Sequence, residues 1–203
     1  MYSECENDPK TAKPRPKVFG IGWAKTGTTT LGTCLQILGY HHVSHRRDLI
    51  NAYADGDIQK IIDAAREPES FEDWPWLILY KELDSAYPES LFVLTKRQPD
   101  KWLCSYRNML SKQGIATPEM NRIRRVLYGL DFPDITDSEL LDRYHYHNSC
   151  VINYFRERPE SLLVTDWESG DGWQELCNFL GAEKPFRPFP HKNKGDYNWR
   201  HAK

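Results

Sequence analysis

Three short apolar runs constrain the fold most: KVFGIG (17–22), LFVLTK (91–96) and SLLVTD (161–166). Each is rich in β-formers and lacks the polar alternation of a half-exposed strand, so each predicts a strand covered on both faces. Weaker strand signals lie in YHHV (40–43) and in a short stretch ending near Phe71. Helical patterns fill the intervals. They run over 28–38, in two shorter stretches across 46–66, over 75–86 with a proline in the first turn, and over 99–111, 118–128, 137–158 and 172–180. Strand and helix in alternation predict βαβ units with right-handed crossovers. The expected fold is α/β, a three-layer α/β/α arrangement on a mostly parallel central sheet.

The chain has 203 residues, about the length of one domain. The first 17 residues, MYSECENDPKTAKPRPK, are polar and proline-rich with no apolar h-region, so residues 1–16 read as a disordered lead-in and 17–203 as the domain. With 27 Lys and Arg against 29 Asp and Glu, the net charge of −2 speaks against bulk binding of nucleic acid but permits a local basic pocket. Cysteines at 5, 34, 104, 150 and 177 form no CxxC pair. They predict free thiols in a reducing, cytoplasmic compartment and no zinc site. No run of about 18 apolar residues appears, so no membrane span is expected.

The functional signal sits after the first strand, in GIGWAKTGTTTL (20–31). In α/β sheets ligands bind at the carboxyl ends of strands. A helix starting near Thr28 would aim its free amides and positive dipole end there, which makes an anion site. Gly22 and Gly27 are expected to let the loop fold around an oxygen cluster, with hydroxyls from Thr26, Thr28, Thr29 and Thr30 as further donors. Simple helix capping by threonine is the alternative. A Walker A loop places lysine after its second glycine, whereas Lys25 stands two residues before Gly27. That position puts the ammonium nearer a breaking bond than the flank of a nucleotide.

The run LFVLTKRQPDKWLCSYRNML (91–110) repeats the design: a buried strand delivers Arg97, and Ser105 follows eight positions later on the next helix. Arginine grips phosphate through two bonds. Pairing of Arg97 with Asp100 across the helix start is the alternative. Two anion pockets on one sheet edge suit a nucleoside with phosphates at both ends.

KTGTTTL (25–31) resembles the 5′-phosphosulfate loop of the sulfotransferase family, and RQPDKWLCS (97–105) its 3′-phosphate motif. EDWPWLILYKELDSAYPESLFVLTKRQPDKW (72–102) and the LLVTDWESGDGWQELCNFLG tail (162–181) resemble a bacterial-type branch, so that the likeness spans about residues 17–193. The resemblance implies a P-loop-like fold and sulfuryl transfer from 3′-phosphoadenosine 5′-phosphosulfate (PAPS) to a hydroxyl or amine of a small-molecule or glycan acceptor, without a metal. It assigns the 5′-phosphate to the backbone of 26–30, charge neutralisation on the leaving bisphosphate to Lys25, and the 3′-phosphate to Arg97 and Ser105.

The family's base stands two residues before a proline; here that slot is Asp73 in Asp73-Trp74-Pro75. Asp73 reads equally as the cap of a helix starting at Pro75. His42 and His45 are rival bases, and His145 and His147 project to different faces of a helix. Thr30 stands where cytosolic members carry an adenine-stacking tryptophan, leaving Trp167 as a substitute ring or a core residue. Lys192, Lys194 and Gly195 stand in for the family's C-terminal phosphate loop. Two other readings stay open: an ATP-dependent kinase using Asp166 as its metal carboxylate, and a non-catalytic nucleotide-binding module.

Overall fold

The computed structural model describes residues 15–112 and 116–190. Strands β1 (Val18–Gly20), β2 (His42–Val43), β3 (Ser70–Phe71), β4 (Leu91–Thr95) and β5 (Leu162–Thr165) form one sheet in the order β2-β3-β1-β4-β5, with every pairing parallel. The mostly parallel expectation is thus met in full. Helices α1 (Thr28–Ile37), α2 (Arg47–Ala54), α3 (Ile58–Ala64), α4 (Tyr80–Ala86), α5 (Pro99–Lys112), α6 (Pro118–Tyr128), α7 (Asp137–Tyr154) and α8 (Trp173–Leu180) complete the layers.

Period-two alternation divides the strand residues between two cores. Phe19, Phe71, Phe92 and Leu94 face α2, α3, α4 and α7, where Phe19 stacks on Phe71 at 4.7 Å and on Phe92 at 5.5 Å. Val18, Val93 and Leu163 face α1 and α8 with Leu31, Leu35 and Leu176. A third cluster lies off the sheet: Trp23, Trp74, Trp102, Tyr106, Tyr128 and Tyr144 pack with residues of α5, α6 and α7. Each large apolar side chain so buried is worth about 1.5–3 kcal/mol.

The helix expected from Pro75 does not start there. Asp73 takes a left-handed conformation (φ 69°), Trp74–Pro75 is cis, and a 3-10 turn over Trp76–Ile78 precedes α4. Trp76 enters the sheet core while Trp74 enters the aromatic cluster, and a continuous helix from Pro75 is replaced by this irregular path. Helix α7 stops at Tyr154, four residues short of expectation; it opens on a capping box between Thr136 and Glu139. Beyond its end Arg158 grips Asp84 of α4 through two bonds of 3.1 and 2.6 Å.

Residues 1–14 of the expected lead-in, with Cys5, lie outside the described residues, as do Lys192, Lys194 and Gly195. Arg15 is anchored: it donates to the Leu38 and Gly39 carbonyls at the end of α1 and lies over the Tyr40 ring. Cys34, Cys104, Cys150 and Cys177 are free thiols. Among the described residues no helix is long and apolar enough to cross a membrane.

Candidate functional site

The chain leaves β1 through a loop held from every side. Trp102 Nε1 donates to the Ala24 carbonyl at 2.9 Å. The Thr26 hydroxyl donates to the Trp23 carbonyl at 2.6 Å and meets the Thr95 hydroxyl at 2.7 Å, and the Thr26 amide also bonds to Trp23. Thr26 therefore points inward and ties the loop to β4; its hydroxyl is not a donor at the mouth. Gly22 likewise serves packing, because a Cβ there would stand 2.0 Å from Thr95 Oγ1 and 2.5 Å from its carbonyl. Gly27 needs its freedom twice over: its φ is 96°, and a Cβ would meet Trp167 at 2.5 Å.

Helix α1 opens at Thr28 on Gly27, which has no side chain to cap it. First-turn amides and the dipole at a helix start of this kind favour an anion. Thr28 and Thr30 are buried and Thr29 is exposed. Trp167 donates from Nε1 to the Gly27 carbonyl at 3.2 Å and packs on Phe189. With 7% of its surface exposed it buttresses the loop as a core residue rather than offering a ring to a ligand.

Lys25 and Asp73 are the non-glycine residues with positive φ among those described, at 75° and 69°. Such conformations are disfavoured and concentrate at functional sites. Their strands are neighbours, so the two loops meet at the sheet's carboxyl edge. Asp73 Oδ1 accepts only its neighbour's amide, Trp74 N at 2.8 Å, and caps no helix. Burial, and then the Glu72 charge, push its pKa up to about 6, while that amide, His45 and Lys25 pull the other way. A carboxyl titrating there is a proton acceptor suited to neutral pH.

Arg97 pairs with Glu168, not with Asp100: its guanidinium lies 2.5 Å from Glu168 Oε1 and donates to the Lys25 carbonyl at 3.5 Å. Lys101 holds the other oxygen of Glu168 at 3.2 Å. The Arg97 backbone is clasped by the Tyr144 hydroxyl, which accepts from its amide at 2.9 Å and donates to its carbonyl at 2.8 Å. A carboxylate thus sits between two cations at a strand end, where an anionic ligand would compete with it. Ser105 lies two turns into α5 and is enclosed, at 2% exposure. A cavity of about 370 Å³ borders Arg97, lined also by Lys96, His145, Asn148 and Asp166. Asp166 turns back on its own loop to accept the Glu168 amide at 3.0 Å.

The histidines fall into distinct roles. His147 bonds through Nε2 to the Ile21 carbonyl at 2.8 Å, and burial pushes its pKa down to about 4, so it holds the loop as a neutral ring. His145 is exposed. His45 is exposed near Asp73, whereas His42 is enclosed between Ser70 and Glu72. Among the described residues no group of three His, Cys, Asp or Glu side chains is placed to hold a metal.

Two residues near the site carried no sequence signal. Glu72 follows β3 as a buried carboxylate, and Glu168 occupies Arg97 from a loop far along the chain. A lone Glu in either context reads as a solvated charge; only the fold gives it partners.

Comparison with known proteins bears on this arrangement. The family model described as Sulfotransferase domain matches residues 17–197. Ava biosynthesis cluster protein M of Aspergillus versicolor is 28% identical over 224 residues, covering 91% of this chain and 83% of that protein. A solved gluconokinase from Sinorhizobium meliloti 1021 aligns over 71% of this chain and 99% of its own, at 14% identity and a TM-score of 0.34.

Proposed function

The chain belongs to the sulfotransferase domain family, and on that premise we propose that it moves a sulfuryl group from PAPS to a hydroxyl or amine of a small-molecule or glycan acceptor. The observation that carries this reading is the placement of Lys25 and Asp73 at adjoining strand ends. Both are set in left-handed backbone at neighbouring strand ends, and the lysine charge bears on the carboxylate. The uncapped first turn of α1 supplies amides for the 5′-phosphate beside them.

Transfer is in-line. Asp73 takes the proton of the acceptor hydroxyl, whose oxygen bonds to sulfur as the sulfur–oxygen bond to the 5′-phosphate breaks. Lys25 neutralises the charge that gathers on the departing phosphate oxygen, so it acts most strongly in the transition state. Arg97 takes the 3′-phosphate once that group displaces Glu168, and the cavity beside it has room for part of the nucleoside. The products are a sulfated acceptor and 3′,5′-adenosine bisphosphate.

The test is incubation with ³⁵S-labelled PAPS and a panel of phenols, alcohols, amines and oligosaccharides in EDTA. Label should pass to at least one acceptor class and be lost in Lys25→Ala. Transfer from γ-labelled ATP with Mg²⁺, with none from PAPS, would overturn the reading.

A further inference from the structure

Glu72 precedes Asp73 in the chain and is buried, at 3% exposure. Its Oε1 accepts a hydrogen bond from Ser44 Oγ and lies 3.9 Å from His42 Nε2. Among the described residues Oε2 has no hydrogen-bond partner. His42 is fixed in turn: Nδ1 meets the Ser70 hydroxyl at 2.9 Å, and the ring lies over Gly32, where a Cβ would come 2.5 Å from Nε2. At Gly20 a Cβ would stand 3.0 Å from that of Glu72. The Glu72 stem thus packs closely on Gly20, and its carboxylate lies beside a histidine seated on Gly32. An apolar side chain of similar volume would fill the same space without the desolvation that a buried charge incurs.

We propose that Glu72 is a positioning residue for the base: its carboxylate, hydrogen-bonded by Ser44 with His42 beside it, keeps the adjacent Asp73 a strong proton acceptor. The proposal rests on the reading of Asp73 as the base. Two carboxylates on consecutive residues whose charges bear on each other do not ionise independently, and the one with better donors keeps its charge. Burial opposes ionisation of Glu72, but His42, Ser44 and Thr28 outweigh it and hold its pKa below the ordinary glutamate value. Asp73, with a single backbone donor, takes the opposite displacement. The other groups facing Asp73 are Lys25 from the loop after β1, His45 from the segment after β2, and the Tyr128 hydroxyl of α6. Lys25 and His45 favour its ionised form, so the upward push among its charged neighbours comes from Glu72.

The experiment is a carboxyl-carbon NMR titration of protein labelled at aspartate, with Asp73→Asn identifying the Asp73 signal. In the wild type the midpoint should lie near 6. In Glu72→Gln it should fall by about one pH unit, and Glu72→Asp, which keeps the charge, should restore most of the difference. The acid limb of turnover with PAPS should move to lower pH by the same amount, with the KM for donor unchanged. Should Glu72→Gln fold too poorly to titrate, Ser44→Ala, which removes a donor from Glu72 and weakens its hold on the charge, should lower the Asp73 midpoint in the same direction. A midpoint that stays in place in these variants overturns the proposal alone. A midpoint that moves while the acid limb of turnover does not overturns the base assignment, and the proposal with it.

Discussion

The loop after β1 and the segment after β3 lie side by side at the sheet edge, yet they are built on different principles. The first is main chain and permanent cation. The loop backbone is fixed by an indole donor, an inward threonine and glycines packed against Thr95 and Trp167, and the neighbouring Arg97 is held by Tyr144 and Glu168. The second is one buried and one half-buried carboxylate whose charge depends on what surrounds them. In the proposed reaction, donor affinity and charge neutralisation belong to the first region, and pH dependence to the second. A change in one should therefore leave the signature of the other in place.

The largest effect that would break this division is at Lys25. Lys25→Ala should lower kcat by roughly 10²–10³ while the Kd for 3′,5′-adenosine bisphosphate shifts only a few-fold, since the ammonium works on charge that develops during transfer. Single-turnover rates beside calorimetric binding separate the two. A matched loss in both would make Lys25 a plain binding residue.

Next is Asp73→Asn, which should abolish most turnover and yet stabilise the protein. The folded-state pKa of Asp73 stands above that of an exposed aspartate, so the folded form holds the proton more tightly and the ionised carboxylate destabilises it. The favourable contribution of the protonated group is full below about pH 4 and is lost as pH rises through about 6. Asparagine, neutral and tolerant of the left-handed conformation, removes that penalty. The expected gain approaches roughly 3 kcal/mol at pH 8 and vanishes near pH 3, as read by denaturant unfolding at both pH values.

Arg97→Ala should weaken bisphosphate binding by about 10–100-fold, near the 1.5–3 kcal/mol of a hydrogen bond to a charged group, with the pH midpoint of turnover unmoved. The smallest effect sharpens the picture from the other side. Glu168→Gln should tighten bisphosphate binding a few-fold, because it removes the carboxylate that competes for Arg97 and Lys101. Weaker binding in that variant would mean that Glu168 holds Arg97 in place for the ligand.

How far the sequence announces these regions follows the same division. Glycine, threonine and lysine between an apolar run and a helical pattern mark the first loop unmistakably, and Arg97 at the next strand end completes it. What that pattern does not reveal is the direction of each group. Thr26 and Gly22 read as parts of a cradle, but both serve the contact with Thr95. In the second region Asp73 stands out through its place before Trp-Pro, yet Glu72 beside it gains its partner His42 only when β2 and β3 pair in parallel. A buried carboxylate carries no local signature, because its partners are set by topology. The helix expected at Pro75 fails for a related reason: Trp74 and Trp76 are claimed by two separate cores.

The central claim is that Lys25 and Arg97 bracket a nucleotide charged at both its 3′ and 5′ positions. Thermal unfolding with 3′,5′-adenosine bisphosphate, adenosine 5′-monophosphate and ATP–Mg²⁺, each at equal concentration, tests it most directly. The bisphosphate at a hundredfold excess over its Kd should stabilise the fold by about 2.7 kcal/mol, a rise of several degrees, with the monophosphate far behind and ATP–Mg²⁺ no better. Equal shifts for the two adenosine phosphates, or a shift with ATP–Mg²⁺ alone, would contradict it.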